Sequence, residues 1–381
     1  MNDSLSYVMV TPYTIAKSRT GGVIARLLSQ LDLELVGAQM IAPDAAFTKA
    51  YGNLLREQGA PLLPTYVEQK LFSQERAHRT LLLLFRGKDP CAKLSGIVGA
   101  IYSENRSVES IAGETIRDTY ADLIVDHKDS QRVTYFEPAV LTPRNEKDCI
   151  NELALIRDFL TNQPNLVSNI AYPDPSKIEK TLVILKPDNW AYASSKPGTI
   201  IDMFSRTGMR IVGMKVHQFT LEQALEFYGP VEAALKEKLA PIFGKKAAEV
   251  LEREFGIALS GEANRAITES FGREYARSQF RDIIEFMSGC RPGREHKEGR
   301  VKTLILVYEG ENAVQKIRDV LGPTDPLKAP GGTIRREFGS NVMVNTAHAS
   351  DSRESYAREQ AIVRINENNF AALAGEYVAH G

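Results

Sequence analysis

Apolar residues fall in short, evenly spaced runs along this chain, and the series of runs occurs twice. Tyr7-Val8-Met9-Val10 reads as a buried strand stopped at Thr11-Pro12, because proline cannot donate to a strand ladder. After Gly21-Gly22, the residues Val23, Ile24, Leu27, Leu28 and Leu31 share one side at helical spacing, and Leu33 to Ile41 reads as a second strand. The pattern returns over 181–216. Leu182-Val183-Ile184-Leu185 stops at Lys186-Pro187. Gly198 opens a helix carrying Ile200, Ile201, Met203 and Phe204, and Ile211-Val212-Gly213-Met214 matches Leu35-Val36-Gly37-Ala38. Further on, Thr80 to Phe85 pairs with Thr303 to Tyr308, each followed by a glycine and a helix ending near Gly99 or Gly322. Thr115-Ile116-Arg117 pairs with Thr333-Ile334-Arg335.

Each half therefore reads as strand, helix, strand, helix, strand, helix, loop, strand, helix. That order predicts an α+β fold in which helices cover an antiparallel sheet. The expected organisation is a first domain over 1–160, a turn-rich linker over 161–178 and a second domain over 179–381. The linker contains Asn162-Gln163-Pro164-Asn165 and Tyr172-Pro173-Asp174-Pro175. The second half carries extra length at about 229–275. Three helix-like runs, Val231 to Leu239, Ala247 to Phe255 and Ala263 to Phe271, are broken there by Gly229-Pro230, Phe255-Gly256 and Ser260-Gly261.

A length of 381 residues agrees with two domains. With 43% apolar and 25% charged residues and a net charge of −1, nothing global favours nucleic acid or a membrane surface as partner. No apolar run reaches membrane-spanning length, and the start of the chain, with Asp3, lacks the pattern of a secretory leader. Cys91, Cys149 and Cys290 are widely spaced with no Cys-x-x-Cys pair. They argue against a disulfide framework or a zinc site and suit a reducing cytoplasm.

The chemistry concentrates in residues 331–359. A Gly-rich loop carries Arg335, a short apolar run spans Val342 to Val344, and Asn345 and His348 precede Ser350-Asp351-Ser352. That triplet is a helix-start signal, so His348 is expected at a strand-to-helix transition where the local field favours anions. An imidazole placed there with arginines nearby suits attack on a phosphoryl group. The run Asn345-Thr346-Ala347-His348-Ala349-Ser350-Asp351-Ser352 resembles the active-site signature of the nucleoside diphosphate kinases, Asn-x-x-His-Gly-Ser-Asp-[Ser/Ala]. The similarity extends upstream through Gly332-Thr333-Ile334-Arg335 and downstream to Glu359. Ala349 replaces a glycine, and Arg336-Glu337 stands where Gly-Asp is usual.

The resemblance implies a ferredoxin-like fold for each half and ping-pong transfer of a γ-phosphoryl group between nucleoside triphosphates and diphosphates. It implies His348 as the nucleophile and Glu359 as the group orienting it, the alternative for Glu359 being a solvated helix carboxylate. Arg318 and Arg335 become phosphate clamps with the Thr324 hydroxyl beside them, and Lys186 contacts ribose and phosphate. Asn345 bonds the ribose, and Ser350 joins the nucleotide-binding set. Tyr228 lies near the phosphates, with Tyr275 as a rival, and Phe280 and Val342 sandwich the base, with Gln279 as an alternative register. Mg²⁺ arrives with the nucleotide, and Asp351 reaches it only through water. Dimers of this fold are the family's habit, which implies an intrachain pseudo-dimer and further assembly of chains.

The first half keeps Arg117 but carries Thr11 for Lys186 and Ser95 for Arg318. Val140 or Leu141, depending on a one-residue gap, replaces the histidine. It reads as a degenerate copy. A nucleotide-sensing regulator without turnover is therefore the competing reading for the same site.

Overall fold

The first apolar run forms β1 (Ser4–Val10), followed by α1 (Thr20–Gln30), β2 (Glu34–Ile41), α2 (Ala45–Glu57), β3 (Thr80–Gly87) and α3 (Pro90–Val98). A hairpin of β4 (Asp122–Val125) and β5 (Val133–Glu137), then β6 (Val140–Leu141) and α4 (Glu146–Leu160), completes the first half. The second half supplies β7 (Ile178–Leu185), α5 (Lys196–Ser205), β8 (Arg210–His217), β9 (Thr303–Glu311) and α6 (Ala313–Leu321). It ends with β10 (Ala347–Ala349), α7 (Arg353–Ile362) and α8 (Phe370–His380). The sheets run β2-β3-β1-β6 and β10-β7-β9-β8, the same order read from opposite ends. The central pairs are antiparallel, with Tyr7 opposite Leu84 and Leu182 opposite Val307. This is the α+β, ferredoxin-like arrangement, present twice.

The computed structural model describes residues 3–73, 75–101, 113–125, 133–294 and 297–380. It divides into one unit of Met1–Val216, Leu304–Gln360 and Arg364–Gly381, and a second of His217–Thr303 with Ala361–Val363. Both sheets belong to the first unit. Successive strand residues point to opposite faces, so Val8, Val10, Leu81 and Leu83 join one core cluster while Tyr7, Met9, Leu82 and Leu84 join another. Sheets covered on both faces need uninterrupted apolar strands, which explains the unbroken run from Leu81 to Phe85.

The cluster containing Val8 also holds Val183, Leu185, Leu304 and Leu306, so it is shared by the two halves. Its helices meet at glycines. A Cβ on Gly21 would lie 2.4 Å from the Asp202 nitrogen, and one on Gly198 would lie 2.1 Å from the Ala25 nitrogen. Gly21-Gly22 accordingly falls inside the first turn of α1, not before the helix as expected, because these residues are selected by helix contact. The segment 161–178 is tied down through Val167 N–H, which donates to the Val212 carbonyl at 2.8 Å. Helix α8 packs on the first half: Phe370 and Ala374 enter its core, Asn368 Nδ2 donates to the Ala38 carbonyl at 2.8 Å, and the Tyr377 hydroxyl bonds Glu146 at 3.0 Å.

The second unit is helical, with Leu221–Ala234, a wide π turn at Leu235–Leu239, Ala240–Phe255 and Gly261–Ser288. The expected break at Gly229-Pro230 does not occur. Pro230 lies inside the first of these helices, and the chain stays helical through the π turn that follows. The other two breaks are present: Gly256 ends its helix at φ +64°, and the Ser260 hydroxyl accepts the Ala263 N–H at 3.1 Å to start the next. The run Ala263 to Phe271 does not end there but belongs to one continuous helix, Gly261–Ser288, because no cap or proline intervenes. Gly244 lets that helix approach closely, since a Cβ there would meet the Thr268 carbonyl oxygen at 1.9 Å. No described helix is long and apolar enough to cross a membrane.

Glycine substitutions in the first unit separate contact from propensity. Gly198→Ala forces backbone apart at the α1–α5 crossing and is expected to lower stability by about 1–3 kcal/mol. Gly96→Ala, in an exposed turn of α3 with open space at the Cβ position, is expected to raise stability by about 0.5–1 kcal/mol. Urea unfolding of the two variants checks both signs.

Candidate functional site

The site is assembled where β10 joins β7. Register pairs His348 with Ile184 and Ala347 with Leu185, and Lys186 N–H donates to the Thr346 carbonyl at 2.9 Å just beyond the pair. Thr346 holds a left-handed conformation, φ +77°, a strained state for a β-branched residue. Asn189, buried, steadies it with Nδ2 donating to both the Lys186 and Thr346 carbonyls at 2.9 and 2.7 Å. Sequence reasoning passed over Asn189; its position three residues after Lys186 in a proline turn was the available signal.

His348 Nε2 lies 3.0 Å from Glu359 Oε1, and Glu359 Oε2 accepts the Ser350 hydroxyl at 2.7 Å. Helix α7 begins at Arg353, Ser352 Oγ accepts the Ser355 N–H at 3.0 Å, and two turns later Glu359 comes back to the imidazole. The His348 side chain is 23% exposed and that of Glu359 3%, so a substrate can reach the ring but not the carboxylate behind it. Glu359 is thus not a solvated helix carboxylate. Ser350 is fully buried, and its hydroxyl is spent on Glu359.

Lys186 is buried, with Nζ donating to Asn345 Oδ1 at 2.7 Å and to the Met343 carbonyl at 3.2 Å. Burial, followed by the charge of Arg335, lowers its pKa from 10.5 to about 7, opposed by Asp188. Asn345 Nδ2 bonds the carbonyls of Thr324 and Val342 at 3.0 and 2.8 Å, so this side chain braces the loop as well as holding Lys186. Arg335 donates to the Gly322 carbonyl at 3.0 Å and the Ala347 carbonyl at 2.9 Å, making it a brace of the histidine strand whose charge still reaches Lys186.

Thr324 is exposed, and Val342 is 57% exposed, an apolar surface beside the site. Arg318, on the solvent side of α6, acts on Asp351, whose carboxyl is held below its usual range by the Ser355 hydroxyl first and by the charge of Arg318. Tyr228 and Phe280 belong to the second unit, where both are buried, and Tyr228 packs on Phe227 with ring centroids 5.0 Å apart. Among the described residues no group of three His, Cys, Asp or Glu side chains could hold a metal ion.

The first half repeats the frame without the chemistry. Ala139 (φ +63°) matches Thr346, and the Thr11 N–H bond to its carbonyl, 3.1 Å, matches that of Lys186. Arg117 donates to the carbonyls of Gly99 and Val140 as Arg335 does to Gly322 and Ala347. Register decides the open alternative: Met9 faces Leu141 as Ile184 faces His348, so Leu141 replaces the histidine. Eleven residues beyond Leu141 stands Glu152, the spacing of His348 to Glu359. Its carboxylate is buried and bonded by the hydroxyls of Tyr7 and of Tyr51 (3.2 Å), and burial lifts its pKa to about 7. That spacing was legible but was not noticed.

Ser350→Ala would leave Glu359 Oε2 buried without its donor. The expected cost is about 1–3 kcal/mol of stability, read by urea unfolding, together with a mobile His348 ring in NMR relaxation.

Two consecutive stretches, residues 179–254 and 255–368, match the family model described as nucleoside diphosphate kinase. The nucleoside diphosphate kinase of Bdellovibrio bacteriovorus is 31% identical over 185 residues, spanning 49% of this chain and 92% of that protein. That of a Nitratiruptor species is 32% identical over 184 residues, 48% and 93%. Among solved structures, the Aquifex aeolicus nucleoside diphosphate kinase is 28% identical with a TM-score of 0.31. An NDP kinase from Pyrobaculum aerophilum is 29% identical with a TM-score of 0.35; each match covers 49% of this chain and 94% of the other. With residues 179–368 matching the family model and 92% of a 31% identical relative covered, the chain belongs to the nucleoside diphosphate kinase family.

Proposed function

We infer that the protein transfers the γ-phosphoryl group of a nucleoside triphosphate to a nucleoside diphosphate through phospho-His348. The observation that carries this reading is the buried Ser350–Glu359–His348 chain. A serine hydroxyl holds one carboxylate oxygen, and the other oxygen accepts Nε2–H, which selects the tautomer with its lone pair on Nδ1. Nδ1 then attacks the γ-phosphorus, the bond to the bridging oxygen breaks, and the diphosphate leaves. A second diphosphate takes the phosphoryl group by the reverse step. No proton need move, so positioning and fixed charge supply the catalysis.

Lys186, Arg318 and Arg335 supply the positive field for the phosphates, and Thr324 and Val342 line the approach. Tyr228 and Phe280 stay in the proposed nucleotide-binding set on the family resemblance alone. Mg²⁺ suits this site as an ion carried by phosphate oxygens, because the site offers an exposed carboxylate, Asp351, and no cage among the described residues. When bound it would neutralise phosphate charge. Three free, buried thiols favour a cytoplasmic setting. The α1–α5 crossing makes the halves a pseudo-dimer within one chain, and further assembly of chains is in keeping with the family.

Incubation with γ-labelled ATP and Mg²⁺, then a GDP chase, tests the reading. An acid-labile label that moves to GDP and is missing from His348→Ala is the expected result. Nucleotide binding without label would identify a sensor instead. A second expectation concerns protons. In the nucleotide-free protein Lys186 has a pKa of about 7, and arriving phosphates raise it, so at about pH 8 binding should take up close to one proton. The uptake should fade below about pH 6, where Lys186 is already charged, and vanish in Lys186→Met. Calorimetry in buffers of different ionisation enthalpy measures it.

A further inference from the structure

A cavity of about 1000 Å³ opens in the first unit, well away in composition from the site just described. It is not lined by Thr11, Leu141 or Arg117, the counterparts of the site residues. Its walls come instead from the segment after β1, from residues 66–73 and 75–79, from Tyr135 and Glu137 of β5 and from the second half at 201–211 with Tyr308. Four cationic side chains face two acidic ones there.

Two features of this space suit a polar guest. Arg79 and Arg210, one from each half, lie close enough to oppose each other's charge; among the described residues neither forms a salt bridge, although the charge of Glu309 bears on Arg79 and the Tyr172 ring lies against Arg210. Burial, reinforced by Arg210, lowers the Arg79 pKa to about 10. One Arg79 donor goes to the Ile211 carbonyl at 3.0 Å, and the fork is otherwise available to an anion. Secondly, among the described residues the Tyr308 hydroxyl, in a side chain 1% exposed, has no hydrogen-bond partner, and the Tyr66 hydroxyl lies beside the Glu137 carboxylate. Buried polar atoms without partners are costly unless something fills the space beside them.

We propose that this cavity is a second nucleotide site, in which Arg79 and Arg210 clamp phosphate, the aromatic wall takes the base, and Glu137 accepts from an amine or ribose hydroxyl. An inorganic anion would satisfy the guanidinium pair alone. The volume, the rings of Tyr13 and Tyr135, the Tyr308 hydroxyl and the Glu137 carboxylate suit a planar, hydrogen-bonding group joined to the phosphate. Glu137 is poised for this because Lys70 Nζ holds its Oε1 at 2.9 Å while lying 4.2 Å from the centre of the Tyr135 ring. The site does not depend on turnover at His348. It gives the degenerate half a task, sensing nucleotide at a place where both halves must be present.

Calorimetric titration of the full chain with ADP, which offers no γ-phosphoryl group, tests the proposal. Two sites per chain are expected, with one lost in Arg210→Glu and the other lost in Lys186→Ala/Arg318→Ala. Arg210 is exposed, so its replacement should leave the fold intact by circular dichroism. Tyr135→Ala should weaken the Arg210-dependent site by about tenfold or more. If only one site is seen and Arg210→Glu removes it, the cavity binds nucleotide and the catalytic reading is what has failed. Equal stoichiometry and affinity in wild type and Arg210→Glu would overturn the proposal. So would displacement of ADP from this site by inorganic phosphate as readily as by AMP.

Discussion

A buried guanidinium that spans two carbonyls holds each half of this protein together at its functional end. Arg335 ties the helix-ending Gly322 to Ala347, one residue before His348, and Arg117 makes the same bridge between Gly99 and Val140. The last strand of each sheet is very short, three residues in one half and two in the other. Few ladder bonds can hold such a strand, so a charge-assisted link to the preceding helix end keeps it in register. The position of the imidazole follows from that register. An arginine that resembles a phosphate ligand in one half therefore persists in the other half, where its bracing role remains.

Once the frame is separate from the chemistry, the divergence of the halves becomes intelligible. Leu141 in place of His348 left Glu152 in a buried position with no imidazole to serve. The carboxylate was retained by tyrosine hydroxyls from β1 and α2. A buried carboxylate without partners would be costly, and two phenols answer that need while a leucine cannot. The β4–β5 hairpin stands ahead of the vacated strand, and its residues Tyr135 and Glu137 face a cavity that the second half helps to close.

In the second half the same electrostatic logic runs in the opposite direction. Lys186 and Arg335 are brought close under burial, and Asp188, the nearby acid, is itself bonded by Lys196 at 2.8 Å. Like charges held together with little water are relieved by an anion. Glu359 is kept apart from this field behind His348, where its buried carboxylate lies 3.0 Å from the ring.

Much of this was legible in one dimension. Runs of Val, Leu and Ile at strand length, repeated with the same glycines and prolines between them, specify two similar sheets because periodicity and turn chemistry are local properties. The spacing from Asn345 through His348 to Glu359 marked the site for a similar reason: a strand, a capped helix start and two helical turns have nearly constant dimensions. Choices that depend on neighbours distant in the chain were not legible. Gly21 and Gly198 read as the approach to a helix, with no sign of the contact they make, and Pro230 read as a stop although the helix continues past it. Arg335 and Asn345 read as ligands, yet their first partners are protein carbonyls and Lys186. The identity of Leu141 as the histidine's counterpart needed strand register, which a one-residue gap leaves undecided in sequence. The cavity shared by Arg79 and Arg210 joins residues 131 positions apart. Local pattern specifies each element and its capping, whereas hydrogen-bond partners, close helix contacts and clustered charge arise only when separate elements are packed against one another.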